Sequence, residues 1–199
     1  KAGWLFPDHP TDPRAGQHAI ASSLAEYVPE DAPGHSVLTE WARQARSHSH
    51  SMVLSAETFC RRDVTTISEM ARVLGFDSYE MVYVIRDPLD VFPSIWAEEV
   101  KHGHTLSFAD RFARDFAAPL RSRLLNAMRD ITQILDHENV RLHAVPYDIL
   151  RRRGVDVFAH MAQEILRVPG LKPVIETRIN SRFPQEVTEF LRLLTLLHY

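Results

Sequence analysis

Tyr83-Val84-Ile85-Arg86-Asp87-Pro88-Leu89-Asp90-Val91-Phe92-Pro93-Ser94 is the stretch on which the fold class turns. With Glu80, Met81 and Val82 before it, the apolar run to Ile85 predicts a strand buried on both faces, as in a parallel sheet. Asp87 is placed to cap a helix, Pro88 suits the first helical position, and Asp90 stands where a capping-box acid would. The helix is expected to reach Lys101 and to stop at Gly103. Asp87 and Ser94 are seven residues apart, so they share one helix face two turns apart. Arg86 at the strand end and Ser94 on that face are expected to converge. An arginine offers phosphate a planar fork of donors, and a serine adds a hydroxyl. Ligands of open α/β sheets bind at the carboxyl ends of strands, which is where Arg86 falls. The plainer reading of the same residues is a capped helix behind an exposed arginine.

Outward from this stretch, strands and helices alternate. Pro7, Pro10, Pro13 and Gly16 mark a loop. Gln17 to Tyr27 is expected to be helical, with Ile20, Leu24 and Tyr27 on one face. A second loop follows from Pro29 to Gly34. Ser36 is expected to cap a helix carrying Val37, Leu38, Trp41, Ala42 and Ala45 at core spacing. Met52 to Ser55 reads as a short strand, and Asp63 or Thr65 starts a helix that ends at Gly75. Ser107 is expected to cap a helix through Phe116, and Pro119 separates it from one bearing Leu120, Leu124, Met128, Ile131 and Leu135. Val140 to Val145 reads as a strand, Val155 to Leu166 as a helix, and Pro184 opens the last helix. This order predicts one α/β domain over residues 1–199, a parallel sheet flanked by helices.

Composition narrows the function classes. The chain has 199 residues, enough for a proper core, with 45% hydrophobic and 25% charged residues, as in ordinary globular proteins. Its formal net charge of −3 carries no bulk signature of nucleic-acid binding. Arg151-Arg152-Arg153 is a local basic run, read as a solvated turn that is also able to attract an anionic ligand. No apolar stretch is long enough to span a bilayer. Cys60 is the single cysteine, so no internal disulfide can form. A cytoplasmic location is expected. Among eleven histidines the close pairs are His48/His50 and His102/His104, neither with cysteine or acid neighbours at a zinc spacing, so no metal is expected. No G-x-S-x-G nucleophile elbow and no G-x-x-x-x-G-K-[ST] loop occurs.

Several pieces in order resemble the sulfotransferases that use 3′-phosphoadenosine 5′-phosphosulfate, in particular bacterial sulfotransferase-like proteins. The Arg86…Ser94 segment is similar to their 3′-phosphate-binding segment. Upstream, Met52-Val53-Leu54 leads into Ser55-Ala56-Glu57, like a family strand ending in Ser-x-Glu. Downstream, Asn139 to Leu150 resembles a later strand followed by a Tyr-acid-x-Leu turn at Tyr147-Asp148. Arg178-Ile179-Asn180-Ser181 precedes the last helix as an Asn-Ser element does in those relatives. The resemblance implies a P-loop NTPase-like sulfotransferase fold. It departs from the family in one respect: no Lys-x-Gly-Thr-Thr loop is present, and Gly3-Trp4-Leu5-Phe6-Pro7 resembles a segment that follows that loop in relatives. The expectation is therefore an N-terminally truncated fold, inactive by itself and short of a central strand.

Taken with the resemblance, the residues define a transfer chemistry. Sulfuryl transfer needs a gripped donor, a base for the acceptor and positive charge on the moving group, as in phosphoryl transfer. Arg86 and Ser94 are the expected donor-binding residues, with Ser55, Asn180 and Ser181 added by the resemblance. Glu57, at a strand end, is the candidate base for an acceptor hydroxyl or amine. Its other reading is a surface glutamate at a turn. His18 lies on the first predicted helix and is read as a surface residue, with the acceptor site as its alternative. Phe108, Phe112 and Phe116, at i, i+4 spacing, are expected in the core. Tyr147 and Asp148 are expected to be structural. The acceptor is a small molecule or a carbohydrate; two other readings are a non-catalytic relative that binds without transfer and a phosphate-loop kinase.

Overall fold

The computed structural model describes residues 4–8, 17–48, 51–56, 59, 62–118, 127–168 and 184–198. In chain order these form β1 (Trp4–Leu5), α1 (His18–Ser22), a 3-10 turn (Leu24–Glu26), α2 (His35–His48), β2 (Ser51–Met52), α3 (Val64–Val73), β3 (Tyr79–Ile85), α4 (Pro88–Lys101), α5 (Phe108–Ala117), α6 (Ala127–Leu135), β4 (Val140–Pro146), α7 (Tyr147–Arg152), α8 (Val157–His160), a π-helical turn (Met161–Ile165) and α9 (Gln185–His198). The protein is mixed α/β. It divides into two compact units, Lys1–Met81 with Gln133–Arg141, and Val82–Thr132 with Leu142–Tyr199.

In the first unit β1 and β2 pair in parallel, with Trp4 opposite Ser51 and Leu5 opposite Met52. The core gathers Ile20, Leu24, Leu38, Trp41, Met70 and Leu74. Trp41 satisfies its indole N–H on the Asp8 carbonyl at 3.2 Å. The helix expected over Gln17 to Tyr27 breaks at Ser23, whose amide reaches back to the Ala19 and Ile20 carbonyls. The Arg62 guanidinium donates to the carbonyls of Ala21 and Ser22, covering the open end of α1.

Asp63 is the cap of α3: its Oδ1 accepts from the Thr66 amide at 2.8 Å and its Oδ2 from the Thr66 hydroxyl at 2.6 Å. The Thr66 hydroxyl and amide hold the Asp63 carboxyl below its ordinary value of 3.8. A depressed carboxyl stabilises the fold above its unfolded value and loses that contribution as pH falls through the folded one. Asp63→Ala is expected to cost about 1 kcal/mol at neutral pH. The deficit relative to the parent should shrink below pH 3.8, which denaturant titrations at neutral and acid pH will read.

β3 and β4 pair with each other. The Tyr79 amide, at the start of β3, donates at 3.1 Å to the carbonyl of Asn139, the residue before β4, so the two strands start side by side and run parallel. In that register Glu80 faces Arg141, whose guanidinium lies 3.7 Å from its carboxylate. The same register places Val82 opposite His143, Val84 opposite Val145 and Arg86 opposite Tyr147. β3 is not buried on both faces: Tyr79, Met81, Tyr83 and Ile85 are partly covered, whereas Val82 and Val84 are 39% and 43% exposed. The described strands thus form two separate pairs rather than one wide sheet.

The second unit is built on α4. Asp87 caps it through a 2.9 Å bond to the Leu89 amide, Pro88 opens it, and it closes at Gly103, whose φ of +86° suits a residue without a Cβ. Phe92, 1% exposed, is the hub of this unit's aromatic packing. Phe108 and Phe112 meet its ring edge-on with centroids 5.3 Å away, and Phe116 does so at 6.2 Å. These three phenylalanines line one face of α5, the arrangement their spacing predicts. Ser107 caps α5 on the Asp110 amide at 3.1 Å. The helix expected from Val155 to Leu166 appears as α8 followed by the π-turn, in which the Leu166 amide reaches the Met161 carbonyl at 3.0 Å.

Among the described residues, no helix is long and apolar enough to cross a membrane.

Candidate functional site

Arg86 follows the last residue of β3 and is partly buried. Its guanidinium carbon stands 4.7 Å from the centroid of the Tyr147 ring. Such a contact is attractive, because the ring face carries negative charge. The buried Nε of Arg86 has no hydrogen-bond partner among the described residues. A buried donor left unpaired is costly, so an acceptor arriving from solution would be favoured there. The Tyr147 ring lies under the guanidinium, a contact that holds the fork in place without using up its N–H groups.

The turn from β3 into α4 is fastened from the other strand. Asp148 Oδ2 accepts a hydrogen bond from the Asp87 amide at 2.6 Å. Asp90, in the capping-box position, does not take this amide; a carboxylate sixty-one residues further on does. Both Tyr147 and Asp148 lie at the start of α7, directly after β4. The parallel register brings the ends of β3 and β4 side by side, so consecutive residues of one strand end brace consecutive residues of the other. Tyr147 and Asp148 are structural, as the sequence predicts, and the structures they hold are Arg86 and Asp87.

Ser94 sits on α4, partly exposed, and its side chain makes no hydrogen bond to another described residue. Its hydroxyl is not drawn to Arg86. Ser55 belongs to the first unit, with its side chain exposed and its backbone clamped: its amide donates to Gln17 Oε1 at 2.6 Å, and its carbonyl accepts from the Gln17 amide at 3.0 Å. Gln17 Nε2 donates to the Pro7 carbonyl at 2.9 Å, so this buried glutamine ties three segments together. Its role was not readable from the sequence, where it looks like the first residue of a helix. Glu57, Asn180 and Ser181 lie outside the described residues, as does the side chain of His18. His102 and His104 are exposed, and His102 stands 3.4 Å from Glu98. Among the described residues no group of histidine, cysteine and acidic side chains has a metal-binding arrangement.

The arrangement at Arg86 is thus a strand-end guanidinium, oriented by an aromatic ring, on a turn locked by a carboxylate. It is suited to bind an oxyanion such as phosphate or sulfate. Compared with protein-family models, with curated proteins and with solved structures, the chain has no match.

Proposed function

We propose that the protein is a sulfotransferase of P-loop NTPase-like fold, binding 3′-phosphoadenosine 5′-phosphosulfate and passing its sulfuryl group to a hydroxyl or amine. The observation that carries the reading is Arg86, with its unpaired buried Nε and its guanidinium held over Tyr147. In this reading the 3′-phosphate docks on the Arg86 fork, and Ser94 contributes its hydroxyl from α4. Ser55, Asn180 and Ser181 complete the nucleotide contacts. Glu57 takes the proton of the acceptor as its oxygen or nitrogen bonds to sulfur. The bond from sulfur to the bridging phosphate oxygen breaks, and 3′-phosphoadenosine 5′-phosphate leaves. The acceptor is a small molecule or a carbohydrate, and no metal is needed for this chemistry.

Calorimetric titration of 3′-phosphoadenosine 5′-phosphate against adenosine 5′-phosphate tests the reading. A clear preference for the 3′-phosphorylated ligand is expected. Arg86→Ala should weaken that ligand by about 1.5–3 kcal/mol, the scale of a hydrogen bond to a charged group, and leave adenosine 5′-phosphate unaffected. Equal affinity for the two nucleotides, or an unchanged affinity in Arg86→Ala, would remove Arg86 from the site and the reading with it.

A further inference from the structure

Among the described residues of the second unit the arginines divide into two groups. Arg111, Arg114, Arg129 and Arg192 each lie within 4 Å of a carboxylate. Arg86, Arg151, Arg152, Arg153 and Arg167 have no carboxylate partner among the described residues. Three of these five are consecutive and exposed at the end of α7. The acids nearest in sequence are turned elsewhere: Asp148 to the Asp87 amide and Asp156 to the Ala159 amide at 2.7 Å. The positive charge of this segment is therefore left to solvent.

Helical spacing sorts the segment into faces. Ile149, Arg152 and Arg153 stand at i, i+3 and i+4 and share one side of α7. Leu150 points the other way, into a small core with Val145 and Ile165. The helix ends at Gly154, φ +69°, with the Gly154 amide on the Arg151 carbonyl and the Val155 amide on the Leu150 carbonyl, both at 3.0 Å. Val157 and Met161 pack against the same small core, and Phe158 turns outward. Ile149, Val155 and Phe158 are 43%, 39% and 42% exposed. Two exposed arginines and three exposed apolar side chains thus fall within ten residues of chain, on a short, well-fastened turn.

We propose that this turn docks the protein on an anionic lipid surface. A soluble polyanion would use the arginines and gain nothing from the three apolar groups. A lipid interface uses both, since apolar side chains enter the headgroup boundary while arginines stay level with the phosphates. The chain as a whole has a formal net charge of −3 and adds no attraction, so binding depends on this face. The protein would lie on the membrane rather than span it.

Sedimentation of the full chain with vesicles tests the proposal. Binding is expected to vesicles of equal parts phosphatidylcholine and phosphatidylglycerol, to fall with added salt, and to be absent with phosphatidylcholine alone. The double variant Arg152→Glu/Arg153→Glu should bind the mixed vesicles roughly a hundredfold more weakly. Ile149→Ser/Phe158→Ser, with charge unchanged, should bind them roughly tenfold more weakly. All four positions are exposed, and circular dichroism will confirm that both variants stay folded. Failure of the parent protein to bind the mixed vesicles would overturn the proposal. So would equal binding by the serine variant, with dextran sulfate displacing both proteins alike, which would make the face a polyanion site instead.

Discussion

Phe92→Ala is expected to destabilise the protein by about 3–5 kcal/mol, the range for emptying a buried aromatic position. Phe92 is 1% exposed and is met edge-on by Phe108, Phe112 and Phe116. Truncation removes the transfer energy of one ring and the edge-to-face attraction of three, which are worth about 0.5–1.5 kcal/mol each. The rings of α5 cannot close the gap without moving the helix, and Ser107 and the ion pairs of α5 anchor it. Phe92→Leu should cost clearly less, because most of the volume is retained. Urea unfolding followed by tryptophan fluorescence measures both, since Trp96 packs edge-on against Phe108 at 5.4 Å. A cost below 1 kcal/mol for the alanine variant would mean that the aromatic cluster is not a core.

Arg111→Met should follow, at about 2–4 kcal/mol. The Arg111 side chain is 12% exposed and crosses from α5 to α4, where it forks onto both oxygens of Glu99 at 2.8 and 2.9 Å. Its third nitrogen pairs with Asp115. The hydrogen bond to Glu99, with Asp115 beside it, raises the guanidinium pKa above its already high ordinary value. Losing the cation leaves two largely covered carboxylates without their counter-charge, which costs more than the pair itself contributes. Partial exposure of Glu99 moderates the figure. Adding Glu99→Gln to Arg111→Met should recover part of the loss, and a double-mutant cycle in denaturant will read the coupling. Additive costs would show that Arg111 acts through its packing on Phe92 alone, where its guanidinium carbon stands 5.7 Å from the ring centre.

These two sites and the candidate anion site differ in how far the sequence discloses them. The caps at Asp63, Asp87 and Ser107 and the stop at Gly103 are legible because each is settled within four or five residues of chain. The i, i+4 phenylalanines of α5 and the alternation of strands with helices are legible for the same reason. Arg86 could be placed at a strand end from its neighbours alone.

What the sequence by itself determined is this local grammar: an α/β chain, the helix ends at Asp63, Asp87, Gly103 and Ser107, and an arginine at the mouth of a strand. Its partners were decided only by the tertiary structure. The register of β3 on β4 sets Tyr147 under Arg86 and Asp148 on the Asp87 amide, pairings that no local pattern contains. The same register decides that Val82 and Val84 face outward, because an apolar strand is buried only on the sides that other elements cover. Gln17 became a buried clamp, and Arg111 a bridge between helices, for the same physical reason. Backbone propensity acts over one or two turns, whereas a polar side chain finds its partner wherever the folded chain brings one within hydrogen-bond reach.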